Sequence, residues 1–526
     1  MVRTAAGAGL FRPVPPGRLL AAGAALRRYG VSYAGGFAAA AAQHPDRLCL
    51  VDERGQLTWR QVDERSSALA NGLAGIGVGE GDGVAVLCRN HRGFVEVTAA
   101  LAKLGATTVY LNTGFAGPQL RDVLVREGPV ALIHDQEFTD LVATDAPVDR
   151  TIVGWVEDPR ALAPAAVTVD GLIARSSVEA PPGPAAVGRT VILTSGTTGT
   201  PKGAPRAQHT GAGPAVSMLE RIPYRQGDVT VIAAPLFHSW GLGNMTLGLL
   251  LGSTFVLRRR FDPEACLADV ARHGARVLVA VPVMLQRILD LPPGVRRRYD
   301  TSSLEVVPLS GSAIPAGLAT RWMDEFGDNL FNLYGSTEVG WATIATPEDL
   351  RSDPRTAGRP PLHTVVKLLD DSGHEVPRGS TGRIFVGSEL LFDGYTGGGS
   401  KEVVDGLMST GDTGRFDDDG RLFVEGREDE MIVSGGENVM PREVEDLLAG
   451  LPDVVEVAVV GVPDDEFGQR LRAVVVRRDG SSLDEDLVRA HVKRNLAAFK
   501  VPRDVVFVDE LPRNATGKVL KGQLVD

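Results

Sequence analysis

The stretch Val191-Ile192-Leu193-Thr194-Ser195-Gly196-Thr197-Thr198-Gly199-Thr200-Pro201-Lys202-Gly203 decides how the rest of the chain is read. Its first three residues form a short apolar run with the pattern of a buried strand. The ten that follow hold three glycines, five hydroxyls, a proline and a lysine. Glycines let backbone N–H groups come close to an anion, hydroxyls donate to phosphate oxygens, and lysine adds a full positive charge. The composition is that of a phosphate-holding loop. It is not a Walker A loop, which needs Gly-x4-Gly-Lys-Ser/Thr opening a helix; here Pro201 precedes the lysine, and Gly203-Ala204-Pro205 follows it. Taken alone, the same ten residues also suit the tip of a flexible hairpin.

Outward from this loop the chain alternates helix and strand. Residues 62–73 are amphipathic, 84–87 read as a buried strand, 94–104 as a helix and 107–111 as the next strand. Residues 120–126 and 130–134 repeat the unit. After the loop come strands at 229–233, 277–281, 304–308 and 330–333, with helices at 265–273 and 317–326. Such alternation implies right-handed βαβ units around parallel sheets. From 364 to 425 the segments are short, β-rich and separated by Asp/Gly/Ser turns, which predicts a small antiparallel barrel or sheet. The tail, with helices at 442–448 and 483–496 and strands at 454–460, 471–476 and 505–508, reads as a compact α+β module. The charged run Gly426-Arg427-Glu428-Asp429-Glu430 marks the seam before it.

The bulk numbers exclude several classes. A formal charge of −11 over 526 residues argues against a polyanionic partner such as nucleic acid. The three cysteines, Cys49, Cys88 and Cys266, form no CxxC pair, which suits a reducing cytoplasm better than a disulfide framework or structural zinc site. No apolar stretch reaches the ~18 residues of a membrane span. Residues 19–26, flanked by Arg18 and Arg27-Arg28, are expected to form a surface helix that packs on the body or makes weak peripheral contact with a membrane.

Four further stretches carry chemistry. Pro235-Leu236-Phe237-His238-Ser239-Trp240-Gly241 ends a strand where open α/β sheets bind ligands. Tyr334-Gly335-Ser336-Thr337-Glu338 brings together an aromatic face for a base and a carboxylate suited to Mg2+. Ser409-Thr410-Gly411-Asp412 offers a carboxylate for two ribose hydroxyls, and Asn514-Ala515-Thr516-Gly517-Lys518 sets a lysine on a tight turn. Singly, each has an ordinary structural reading; five such elements in fixed order do not.

Together these motifs resemble the adenylate-forming superfamily of acyl-CoA synthetases, firefly luciferase and peptide-synthetase adenylation domains, and their pattern is most similar to fatty acyl-CoA synthetases. The likeness runs from about Phe37 to the C-terminus. It implies an α/β fold with a large N-terminal domain, residues 1–428, of two parallel-sheet α/β subdomains plus a small β-barrel. A small mobile α+β lid, residues 429–526, follows. It also implies ATP, Mg2+ and coenzyme A as the molecules handled. Thr194, Ser195, Gly196, Thr197, Thr198, Gly199 and Lys202 would hold the β- and γ-phosphates of ATP. Ser312 and Ala313 would border the adenine, with Tyr334 stacked on it. Thr337 would touch the α-phosphate, Glu338 would hold Mg2+, and Asp412 and Arg427 would bind the ribose. Lys518 would bridge the acid and the nucleotide during adenylation. Asp429 would be the hinge, and Gly435 and Gly436 would line the pantetheine channel.

The physical sense of the assignment is independent of the family. A carboxylate and a triphosphate repel one another, so their reaction needs cations, here Mg2+ and Lys518. A thiol must then reach the acyl carbon where the lysine stood, and a hinge exchanges one face of the lid for another.

Amino-acid-activating relatives place an Asp early in the substrate pocket. This chain has Phe237-His238-Ser239 there, with no carboxylate to pair a buried ammonium. His238, Trp240, Gly241, Met284, Gly311, Gly335, Val339 and Gly340 are expected to contact an apolar acid, medium- or long-chain or bulky, with the glycines leaving room for it. Two alternatives stay open: an acyl-AMP ligase that loads an acyl carrier protein, and a non-catalytic ligand-binding relative. The chain departs from the family pattern at Leu407, where many relatives have Trp, at Val433, where many have Lys, and at Glu430 beside the hinge.

Overall fold

A computed structural model describes all residues except 1, 11–13, 194–201, 207–212, 397, 435–436, 465–467, 515–516 and 526. The chain divides into two compact units, residues 1–308 with 389–400, and residues 309–388 with 401–526.

The first unit contains two sheets. One is six-stranded, in the order Thr151–Val153, Ala131–His134, Gly83–Leu87, Thr107–Tyr110, Thr190–Leu193, Gly203–Arg206. All its neighbours are parallel except the last pair. The other is five-stranded: Val277–Val279, Val229–Ile232, Thr254–Leu257, Leu48–Asp52, Gly55–Thr58, again parallel except for the final hairpin. The two parallel-sheet subdomains expected from the strand–helix rhythm are therefore both present.

The helix Trp59–Gly75 starts at a full capping box, in which Thr58 accepts from the Gln61 N–H while the Gln61 side chain accepts from that of Thr58. Its Trp59 is fully buried between Phe37 and Phe255. The helix Arg92–Leu104 presents almost no exposed face and buries Phe94 against Tyr110 at 5.0 Å. The expected surface helix forms as Pro16–Tyr29, with Ala22 and Tyr29 buried and Leu19 and Leu20 exposed. All three cysteines are buried and unpaired; burial is the main cause pushing their thiols up, Cys266 to about 12.

In the second unit, Leu330–Ser336 and Gly340–Ala345 form an antiparallel hairpin with an irregularity at Tyr334/Gly335. The region expected to be a barrel or sheet is an antiparallel sheet of Val365–Leu369, Gly382–Gly387, Leu407–Phe416 and Val403–Val404, with Leu422–Arg427 added on Leu407–Phe416. The C-terminal module has its own sheet, Glu437–Val439, Ile432–Ser434, Gly468–Arg477 and Val454–Asp464 in order, with Asp504–Val508 parallel to Gly468–Arg477. Helices Pro441–Ala449 and Glu485–Asn495 supply Val444, Leu448, Val488 and Val492 to its core. Among the described residues no helix is long and apolar enough to cross a membrane.

Candidate nucleotide and acid sites

The loop quoted first from the sequence is framed by a hairpin: Thr190–Leu193 pairs antiparallel with Gly203–Arg206, Leu193 opposite Gly203. The strands on either side of the loop therefore pair as a hairpin, while the phosphate-holding reading falls on residues outside the described ones. The predicted phosphate ligands Thr194, Ser195, Gly196, Thr197, Thr198 and Gly199 lie outside the described residues, and the return strand is held firmly. Thr396 accepts the Gly203 N–H at 3.0 Å, its own N–H donates to the Gly203 carbonyl at 2.8 Å, and its hydroxyl donates to Glu127 at 2.7 Å. Lys202 is exposed at the loop's exit, its ammonium 5.1 Å from the centre of the Tyr395 ring.

His238 sits where the strand Val229–Ile232 has ended and the helix Ser239–Leu251 begins, and its ring accepts the Trp240 N–H at 3.4 Å as the helix N-cap. Burial lowers its pKa to about 4, so the ring is neutral at physiological pH and carries no charge for a carboxylate. Trp240 is buried and locked by an indole N–H donated to the Ala280 carbonyl at 3.0 Å. Met284 is buried on the helix Pro282–Leu289. A Cβ on Gly241 would come within 2.2 Å of the Pro235 carbonyl oxygen, so glycine is demanded there by chain packing. Asn90, not singled out from sequence, braces this turn. Its amide donates to the Ile232 and Ala234 carbonyls, and its oxygen accepts the Leu236 N–H at 2.8 Å. Its position just after the strand Gly83–Leu87, at the ligand-binding edge of a parallel sheet, is the signal that points to it.

The second unit gathers Tyr334, Arg427 and Lys518 around one carboxylate, Asp412. Tyr334 donates its phenol to Asp412 Oδ2 at 2.6 Å, and the phenol oxygen lies 3.2 Å from Thr410 Oγ1. Asp412 stands opposite Arg427 in the ladder. Burial raises the Asp412 carboxyl; the Tyr334 hydrogen bond and the charges of Arg427, Lys518 and Lys401 pull the other way. Lys518 is therefore within electrostatic reach of Asp412. Its turn is braced: Asn514 Oδ1 accepts the Lys518 N–H at 2.9 Å, and Arg513 donates to the Gly517 carbonyl at 2.6 Å while pairing with Glu456 at 2.7 Å. Ala515 and Thr516 lie outside the described residues.

Thr337 is buried, Glu338 half-buried, and Ser336 accepts the Glu338 N–H at 3.2 Å. Ser312 and Ala313 follow the strand Val307–Leu309 in a loop that opens with Ser310 and Gly311. Gly311 turns that loop at a φ of 94°, which explains the glycine by its backbone. Val339 is fully buried, and Gly340 starts the second strand of the hairpin. A Cβ on Gly335 would meet the Gly340 carbonyl oxygen at 2.0 Å, so here too the missing side chain is explained by the backbone. Asp429 is the middle residue of a 3-10 turn, Glu428–Glu430, while Gly435 and Gly436 lie outside the described residues.

Glu338, the residue expected to hold Mg2+, supplies a single carboxylate; Mg2+ completes its shell with phosphate oxygens and water. Among the described residues, Cys88, His91 and Asp135 bring three ligand types within 4.8 Å. There His91 Nδ1 accepts the Gly93 N–H and Nε2 faces Asp135 at 2.8 Å, which leaves the ring no lone pair for an ion. That cluster caps the helix Arg92–Leu104.

Residues 37–396 match the model of the AMP-binding enzymes, and 443–518 that of the AMP-binding enzyme C-terminal domain. The chain is 36% identical to a feruloyl-CoA synthase from Amycolatopsis sp over 89% of its own length and 93% of the relative's. It is 35% identical to an indoleacetate–CoA ligase from Aromatoleum aromaticum, over 88% and 92%. The crystal structure of the anthranilate CoA ligase AuaEII with anthranoyl-AMP superposes with a TM-score of 0.84 at 26% identity, covering 94% of this chain and 96% of that one. The chain belongs to the AMP-binding enzymes, the adenylate-forming superfamily, and is an AMP-forming acid–CoA ligase.

Proposed function

We propose that this ligase activates an apolar, ring-bearing carboxylic acid, first to an acyl-adenylate with release of pyrophosphate and then to the CoA thioester. The observation that carries the nucleotide half of the reading is the set of groups around Asp412: Tyr334, Arg427, Lys401 and Lys518. Asp412 would accept the ribose hydroxyls, Tyr334 would face the adenine beside Ser312 and Ala313, and Lys518 would bring positive charge to the developing pentacoordinate phosphorus. Residues 194–199 and Lys202 would hold the pyrophosphate end. Glu338 would hold Mg2+, which supplies charge neutralisation for the phosphates when bound.

The acid is assigned from two supports. The neutral, partly buried His238 and the absence of a carboxylate beside it in the sequence disfavour an amino acid. The named relatives act on feruloyl and indoleacetyl groups, and the superposed structure holds an anthranoyl group. The glycines at 241 and 335 carry no weight here, because the backbone already requires them. The second half-reaction would follow rotation of residues 429–526 about Asp429, which withdraws Lys518 and brings Gly435 and Gly436 to the pantetheine arm. The three unpaired cysteines and the need for ATP and CoA favour a cytoplasmic setting.

A panel of aryl, polycyclic and linear acids, with pyrophosphate release and CoA-thiol consumption followed separately, tests the proposal. Ring-bearing acids should turn over with both signals in step. A preference for linear acids would overturn the substrate assignment. Pyrophosphate release without thiol consumption would point to a carrier-protein acceptor.

A further inference from the structure

Cys88, Arg89, Asn90 and His91 join the strand Gly83–Leu87 to the helix Arg92–Leu104. The neighbours of Asn90 on both sides are held by one carboxylate: Asp135 accepts the Arg89 N–H at 2.9 Å and faces His91 Nε2 at 2.8 Å. Asp135 is fully buried and follows the adjacent strand Ala131–His134. The buried cluster of Cys88, His91 and Asp135 therefore fixes the backbone around Asn90 to the six-stranded sheet, while the Asn90 side chain crosses to the end of Val229–Ile232, a strand of the five-stranded sheet.

There it meets three backbone groups in succession. Its amide nitrogen donates to the Ile232 carbonyl at 3.2 Å and the Ala234 carbonyl at 2.8 Å, and its oxygen accepts the Leu236 N–H at 2.8 Å. Asn90 is 5% exposed, so water does not stand in for these bonds. Two acceptors and a donor facing one short side chain suit an amide: a carboxylate cannot donate, and a hydroxyl has a single proton. The turn is tied on its other side as well. The N–H groups of Ala233 and Ala234 donate to the Val279 carbonyl at 2.9 and 3.1 Å, and the Trp240 indole donates to the Ala280 carbonyl. Residues 232–236 are thus held between Asn90 and Val279, and His238 and Trp240 take their place from that stretch.

We propose that Asn90 is a positioning residue for the acid: it fixes the turn that carries His238 and Trp240, and through them sets the affinity and selectivity for the carboxylic acid. The inference rests on the reading that residues 235–241 contact the acid. Without the amide, two carbonyls and an N–H of the turn are left unpaired in a buried place, and the turn escapes that cost by moving. A displacement of about 1 Å is enough to cost on the order of a hundredfold in a reaction that depends on position. The nucleotide groups around Asp412 hang on other hydrogen bonds and keep them.

The test uses the full-length enzyme and pyrophosphate release, with the acid varied at saturating ATP and ATP varied at saturating acid. Asn90→Ala removes all three bonds, and Asn90→Asp keeps the shape and the acceptor but loses the donors. Each should raise the KM for the acid by about tenfold or more and narrow the kcat/KM ratio between the preferred acid and a poorer one, with the KM for ATP within about twofold of wild type. Thermal melts identify the folded variants, and the isosteric aspartate carries the test where the alanine does not fold. A merely structural role lowers the melting temperature and the active fraction, which scales kcat for every acid alike and leaves the acid KM and the ratio unchanged. That result in a folded variant overturns the proposal, as does an equal rise in both KM values. Trp240→Ala separates the two readings. If it too leaves acid KM and selectivity unchanged, the acid-site reading falls and this proposal with it; if it moves them while the Asn90 variants do not, only the positioning role falls.

Discussion

The phenol of Tyr334 donates to Oδ2 of Asp412 across 2.6 Å, joining the hairpin of residues 330–345 to the antiparallel sheet. A residue expected to face a base is thereby also the group that fixes the carboxylate expected to hold the sugar. Tyr334→Phe keeps the ring and loses this bond together with the 3.2 Å contact to Thr410. We expect the apparent KM for ATP to rise about tenfold, the ~1.5 kcal/mol of a hydrogen bond to a charged group, with a smaller change in kcat. ATP–pyrophosphate exchange measures both.

Asp412 is held above its ordinary value mainly by burial. The sign follows from linkage: a carboxyl raised in the fold adds stability below its unfolded pKa and loses that contribution as pH rises through the folded one. Ionised Asp412 is therefore a net cost to the unliganded enzyme at neutral pH. Asp412→Asn should melt higher than wild type at neutral pH, with the difference closing on acidification, while binding ATP more weakly. Melts across pH and ATP titration check the two halves together.

His238 caps the helix Ser239–Leu251 and stays neutral down to about 4. His238→Ala should cost about 1 kcal/mol of stability as a lost cap. His238→Asn, which preserves capping, should restore the melting temperature. Neither should shift the acid limb of the pH–rate profile, and any residual loss in kcat/KM with Asn reports contact with substrate.

Lys518→Ala should abolish adenylate formation and spare thioester formation from supplied acyl-adenylate. The lysine's charge reaches Asp412, whereas nothing in the second step calls for it there. Equal loss of both half-reactions, read by pyrophosphate release and thiol consumption, would remove the split role.

Thr396 latches the strand Gly203–Arg206, which leaves the loop expected to hold phosphates, through Gly203 and Glu127. Thr396→Val keeps the shape and loses the hydroxyl. Adenylation should slow by about five- to tenfold, on the order of the ~1 kcal/mol carried by part-buried hydrogen bonds such as the two this hydroxyl makes, with thioester formation unchanged. Half-reaction rates on the purified variant provide the check.

Legibility from sequence follows periodicity. The buried strands at 84–87 and 229–233 and the helices at 94–104 and 483–496 stand out because their apolar residues recur at one period, and the structure places them within a few residues of those bounds. The helix Ser239–Leu251 does not, because it is apolar around its whole circumference and leaves no polar face to reveal a period. Among site residues, the Tyr334, Asp412 and Lys518 motifs are readable because each pairs a reactive group with a turn. Asn90 and Thr396 are not, because their partners lie 142–146 or 193 residues away in the chain. The glycines mislead: at 241 and 335 space for a ligand and close approach of backbone look alike in sequence, and the distances reveal the latter.

The burial of Cys49, Cys88 and Cys266, with every thiol pushed up, has a practical side. Colorimetric thiol reagents attack thiolates they can reach, and the native enzyme offers none of these three. In a discontinuous assay the loss of colour can therefore be credited to coenzyme A alone, with no correction for enzyme concentration. A slow colour release from protein without substrate would then serve as a built-in gauge of unfolding.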